Sequence, residues 1–187
     1  MQTIRQVPAG VLPQDVSVEI FADRIKKKAY FITKGRSLSI EELPKNLKRD
    51  LLVKLLQDKP ALKELGKLGY SEAIRRYAFC LYGTLDHVPD YHQGKLSDAE
   101  NFRCGKNCTC LKWKFKNIRT RDGQVITARQ LQIIELIREG KPGKQIAAEL
   151  NIKLPTLNNH KQAIMAKLNA QNSTDMVNKA IEQNIIN

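Results

Sequence analysis

Val16, Val18 and Ile20 alternate with polar residues, and beyond a charged stretch at 24–28 the apolar positions resume as Ala29-Tyr30-Phe31-Ile32. A period of two marks half-buried strands, so residues 16–34 predict a β-hairpin around a basic connection, ended by Lys34-Gly35-Arg36. From Pro44 the period lengthens. Leu47, Leu51, Leu52, Leu55 and Leu56 fall at helical spacing, with Lys45, Lys48, Arg49 and Lys54 on the other side. This predicts a helix over 44–57 that packs by its leucines, with Pro44 at its first position and Ser39 and Glu42 as a capping-box pair just ahead of it. Pro60 opens a short helix through Leu65, Gly66 and Gly69 punctuate the connection, and Ser71 is placed to cap a helix over 72–82.

Between Gly83 and Thr127 neither period holds, and Pro89-Asp90, Gly94, Gly105 and Gly123 are turn signals. Residues 101–121 contain Arg103, Lys106, Lys112, Lys114, Lys116, Arg119 and Arg121 and no acidic residue, while Trp113 and Phe115 alternate with the lysines. Two readings are open: a basic arm that touches phosphates, or a solvated strand whose two aromatics pack on a core.

Helical spacing returns after Thr127, an N-cap for a helix in which Leu131, Ile134 and Ile137 recur until Gly140. A short helix then presents Ile146, Ala147 and Leu150 on one face, and Asn151 follows where the chain needs a left-handed residue, which Asn tolerates best after Gly. Ile152 plugs the turn and Pro155 starts a longer helix with Leu157, Ile164 and Leu168 inward. Ser173 caps a last helix, 174–183, with Met176, Val177, Ala180 and Ile181 apolar. Two helices joined by a tight turn, the second opening with polar residues, form a helix-turn-helix, whose second helix lies in the major groove of DNA.

The last 60 or so residues resemble the LuxR-type (GerE-like) DNA-binding domain of bacterial transcription factors. The resemblance is carried by Thr127-Ala128-Arg129-Gln130, Gly140, Lys144-Gln145-Ile146-Ala147 through Leu150, Thr156-Leu157, His160, Ile164, Lys167 and Leu168. It departs from the family at Gln130, where Glu is usual, at Lys153, where Ser is common, and at Pro155; these departures bear on the DNA sequence preferred rather than on the fold. The expected architecture is α+β: a small N-terminal domain, residues 1–122, with a β-hairpin, helices, a cysteine cluster and a basic linker, followed by an all-α four-helix LuxR-type domain, residues 123–187.

The expected function is a bacterial transcriptional regulator that binds duplex DNA through helix 155–168. Asn and Gln pair bidentately with adenine N6 and N7, so Asn158, Asn159 and Gln162 are candidate base readers. Lys144, Thr156, Lys161 and Lys167 are candidate phosphate anchors, and His160 is expected to pack within the domain. The resemblance also implies a homodimer, with the last helix as a contact. A second reading is a sigma-like or anti-sigma-like interaction protein acting on RNA polymerase.

Composition agrees with a polyanionic partner: 32 Lys+Arg stand against 19 Asp+Glu, a formal charge of +13. A membrane surface would satisfy the charge equally, and the helix-turn-helix decides for nucleic acid. No apolar run reaches the length of a membrane span and residues 1–8 have no signal-peptide core, so a cytoplasmic location is expected. In that reducing compartment cysteines serve as thiols or ligands rather than disulfides. Cys104, Cys108 and Cys110 fall within seven residues, and with Cys80 they could supply four thiolates to a tetrahedral zinc or, alternatively, to an iron–sulfur cluster. Plain thiols are the competing reading, with His87 and His92 as reserve ligands or simply exposed loop residues. An enzyme is not expected: the chain has no C-x-x-C, no Gly-rich phosphate loop and no arrangement of Ser, His and Asp that can be placed.

Overall fold

The computed structural model describes residues 7–105 and 109–186. The chain divides into two compact units, residues 1–116 and 117–187, and the architecture is α+β, with helices in both units and small antiparallel sheets.

In the first unit β1 (Glu19–Asp23), β2 (Lys28–Thr33) and β3 (Arg36–Ser39) form an antiparallel sheet in that order. Ile20 pairs with Phe31 across β1 and β2, and both side chains are buried, as the alternation predicts. The third strand was not predicted. Lys34 and Gly35 both have positive φ, 51° and 72°, and join Thr33 to Arg36 as a two-residue hairpin loop. That backbone matches the twist of the flanking strands, so the residues that read as the end of the β pattern are the turn into its next strand.

Helix α1 (Lys45–Gln57) has Pro44 at its N-cap and buries Leu47, Leu51 and Leu55. Leu56 is exposed and Leu52 half-buried, so the stripe that packs is narrower than the leucines alone suggest. Helix α2 (Lys59–Leu65) is capped by Asp58, and α3 (Tyr70–Leu81) begins at Gly69 rather than at the expected Ser71. The stretch that follows α3 holds a two-residue-per-strand hairpin, β4 (Tyr91–His92) and β5 (Lys95–Leu96), and a 3-10 turn over Thr109–Lys112.

Residues 109–116 pack on the helices. The Trp113 ring stacks on Tyr77 with centroids 5.6 Å apart, and its Nε1 donates to Glu64 at 3.1 Å. Trp113 and Lys116 are both buried. Of the two readings of this basic stretch, the structure realises the packed one, as an irregular segment rather than a strand.

Asp58 joins these pieces. Fully buried, its carboxylate accepts from Ala61 N at 3.2 Å, Lys114 N at 2.9 Å, Phe115 N at 3.2 Å and the Tyr77 hydroxyl at 3.2 Å. One side chain thus caps α2, fixes α3 and holds the returning chain.

The second unit opens with a hairpin, β6 (Ile118–Arg119) and β7 (Val125–Ile126), that buries Ile118 and Ile126. This hairpin is an addition to the all-α domain expected, and it places the boundary before Asn117 instead of before Gly123. Then come α4 (Ala128–Arg138), α5 (Gly143–Glu149), α6 (Leu154–Leu168) and α7 (Ser173–Glu182). The N-cap of α7 is Asn172, which accepts from Asp175 N at 2.9 Å, one residue ahead of the expected Ser173.

Removing the Asp58 carboxylate strands three backbone N–H groups and one hydroxyl. Hydrogen bonds to a charged acceptor contribute about 1.5–3 kcal/mol each, non-additively. Asp58→Ala is therefore expected to destabilise the first unit by about 3 kcal/mol or more, read as a lower urea midpoint by Trp113 fluorescence. An unchanged midpoint would show that the network contributes nothing.

Candidate nucleic-acid interface

Helix α4 starts in a reciprocal cap. Thr127 Oγ1 accepts from Gln130 N at 3.2 Å, and Gln130 Oε1 accepts from Thr127 N at 3.1 Å. Glutamine therefore performs the capping that glutamate would. The same Gln130 oxygen accepts from the Lys167 ammonium at 2.9 Å, and Lys167 also donates to the Val125 carbonyl at 2.6 Å. The far end of α6 is thereby tied to β7 and to the head of α4.

Between α5 and α6 the chain reverses through Asn151, whose φ is 51°. Asn151 N donates to Ala148 O at 3.0 Å and Ile152 N to Ala147 O at 2.9 Å, closing the end of α5. Ile146 and Ala147 are buried beneath the turn. With Lys153 as N-cap and Pro155 in its first turn, α6 then runs for four turns.

Successive helical residues turn by about 100°, so Leu157, Ile164 and Leu168, all buried, define one side of α6. Asn159 and Gln162 fall on the opposite side together with Pro155 and Ala166, Asn158 lies at its edge about 100° from Leu157, and all five are exposed. Lys161 and Lys167 sit on the two flanks, each half-buried. The predicted base readers thus form one outward strip, bare of apolar bulk and with no acidic residue anywhere from 150 to 170. Thr156 and Lys144 are exposed at the starts of α6 and α5. His160 is half-buried.

Lys167, an expected phosphate anchor, donates its ammonium to the domain's own Gln130 and Val125. Lys153 was noted only as a departure from the family. It is exposed at the N-cap of α6, beside first-turn N–H groups that lack intrahelical acceptors and favour an anion. Its position immediately before a predicted recognition helix was the available signal.

In the first unit Cys80, at the end of α3, lines one cavity of about 460 Å³ together with Cys104 and Cys110. Cys110 is buried and the other two are half-buried. Cys108, the remaining member of the predicted set, lies outside the described residues. His87 and His92 are exposed and are not among the residues lining that cavity.

Comparison with known proteins bears on the second unit. Residues 124–180 match the family described as bacterial regulatory proteins, luxR family. The chain is 36% identical over 55 residues to a monoamine regulon transcriptional regulator of Klebsiella aerogenes, covering 29% of this chain and 24% of that protein. It is 32% identical over 63 residues to the oxygen regulatory protein NreC of Staphylococcus carnosus, 34% of this chain and 29% of NreC. It is 34% identical over 58 residues to the transcriptional regulatory protein DesR of Bacillus subtilis, 31% of this chain and 29% of DesR. The chain therefore spans less than a third of each of these relatives. No solved structure matches it.

The left-handed turn is open to a direct test. A side chain other than Gly or Asn in that conformation costs roughly 1–2 kcal/mol. Asn151→Ala should destabilise the second unit by that amount, read as a lower thermal midpoint, while Asn151→Gly should lie closer to wild type. Equal effects would show that the turn is not under this constraint.

Proposed function

We propose that this chain, whose residues 124–180 form a LuxR-type helix-turn-helix domain, is a transcriptional regulator that lays α6 in the major groove of duplex DNA. The observation that carries the reading is the exposed patch of Asn158, Asn159 and Gln162, with Asn159 and Gln162 opposite the buried Leu157, Ile164 and Leu168 and Asn158 at the edge of that outward side. Amide side chains on that strip offer the paired donor and acceptor that adenine presents. Lys144, Lys153, Thr156 and Lys161 border the strip and anchor phosphates. Lys167 acts one step removed, by holding α6 against β7 and α4.

Relatives named as transcriptional regulators support the DNA reading. They lend nothing to the polymerase-directed alternative. No helix among the described residues is long and apolar enough to cross a membrane. One such domain grips few base pairs, so the regulator acts as a homodimer; α7 leaves Ile181 exposed beyond its buried Met176 and Ala180, and this is the contact assigned to the pair.

The first unit carries a thiol-bound metal in this reading, zinc before an iron–sulfur cluster. Support comes from Cys80, Cys104 and Cys110 sharing one cavity. The ion would hold a segment poor in regular structure.

Duplexes selected from random DNA by the full chain give the first test. Asn158→Ala should weaken binding to the selected site by about 5- to 150-fold, the range of one bidentate pair, with little effect on unrelated DNA. Lys161→Ala should weaken both and lower the salt slope by about one. Binding that ignores both changes, with capture of RNA polymerase instead, would favour the alternative. For the metal, elemental analysis should find about one zinc per chain, lost when Cys80, Cys104 and Cys110 become serine. Iron with visible absorbance would assign a cluster, and a metal-free wild type would remove the site.

A further inference from the structure

Glu19, at the start of β1, is 0% exposed. Its Oε1 accepts the Asp86 N–H at 2.8 Å, and its Oε2 is buried with no hydrogen-bond partner. Glu100 stands beside it, anchored by the Thr84 N–H at 2.8 Å. One carboxylate oxygen from each of Glu19, Asp86 and Glu100 lies within 4.8 Å of the other two. A buried carboxylate oxygen without a donor is costly, and three carboxylates at this spacing repel one another when ionised.

We propose that Glu19, Asp86 and Glu100 bind a hard divalent cation of the calcium class. The chemistry of the set is all oxygen, which suits calcium, magnesium or manganese rather than a thiophilic metal. A separation of up to 4.8 Å is about twice a calcium–oxygen bond of roughly 2.3–2.6 Å, so three oxygens can surround one such ion. Magnesium needs a tighter octahedron. Asp86 and Glu100 are half-buried, which leaves room for the waters that complete a calcium shell of about six to eight ligands.

Charge balance points the same way. Lys116 is buried, donates to the Glu100 carbonyl at 3.3 Å, and holds the Glu100 carboxyl down by its charge. Asp90, also buried, is not among the carboxylates whose oxygens come together, but its negative charge acts on all three, and one lysine against four carboxylates leaves an excess of negative charge that a divalent ion would offset. The orphaned Glu19 oxygen gains the partner it lacks. Three segments far apart in sequence are clamped by the ion: the first strand, the loop after α3 and the chain after β5. This site is separate from the thiol cavity, whose lining includes none of the three.

The test uses the full chain exchanged into resin-treated, divalent-free buffer, titrated with calcium chloride by calorimetry and followed by thermal unfolding. Wild type should bind calcium and gain thermal stability. Glu19→Gln keeps an acceptor for the Asp86 N–H and removes the buried charge. It should be at least as stable as wild type without calcium, and should bind calcium about ten-fold or more weakly. No heat and no thermal shift with millimolar calcium in wild type would overturn the proposal. So would a calcium shift that Glu19→Gln leaves unchanged, or a response to magnesium or manganese without one to calcium.

Discussion

One backbone position governs the candidate interface. Asn151 takes up a left-handed conformation, and the hydrogen bonds around it end α5 and launch α6 at a fixed angle. With α5 held by Ile146 and Ala147 in the core, and α6 held by Leu157, Ile164 and Leu168, rotation of α6 about its own axis is fixed as well. The polar strip faces outward because the opposite side has nowhere else to go. Gln130 and Lys167 secure the other end of the same helix. The proposed recognition residues on α6 are thus positioned by groups that need never touch a ligand, which is the arrangement that lets a short strip of side chains be precise.

The first unit solves a different problem. It has a small sheet, three modest helices and a long returning segment with little regular structure, and buried polar groups stitch these together. Asp58 satisfies donors from three separate parts of the chain. Trp113 both stacks on Tyr77 and donates to Glu64. The Glu19 cluster and the cysteine-lined cavity lie at other junctions of the same kind, where segments remote in sequence converge. Such junctions are where bound ions add most to a small core.

Much of the second unit was legible because its signals are local. Thr127 and Gln130, Asn151, Pro155 and the spacing of Leu157, Ile164 and Leu168 each act within a few residues, and the family resemblance rests on the same positions. The β6–β7 hairpin escaped because each strand has only two residues, too few to show a period. Lys34-Gly35 was read as a stop, since a non-glycine residue at positive φ leaves no mark in the hydrophobic pattern. Ser71 and Ser173 were read as the caps, yet α3 starts from Gly69, and Asn172, as good an N-cap as Ser, accepts from Asp175 N at the head of α7. Beyond α3 the determinants are long-range: Asp58 meets Lys114 and Phe115 some 56 and 57 residues away. No window on the sequence reveals such contacts. The convergence of Glu19, Asp86 and Glu100 was hidden for the same reason, whereas Lys153 had a local signal in its place just before α6.

The central claim is that α6 reads bases in the major groove with amide side chains. The most direct measurement compares a duplex selected by the full chain with versions in which single adenines are replaced by 7-deazaadenine, which lacks the major-groove N7 acceptor. The account predicts that one or more substitutions weaken binding by about 1–3 kcal/mol in the wild type, and that this penalty disappears in Asn158→Ala or in Asn159→Ala. Binding indifferent to every such substitution, but sensitive to changes in the minor groove, would contradict it.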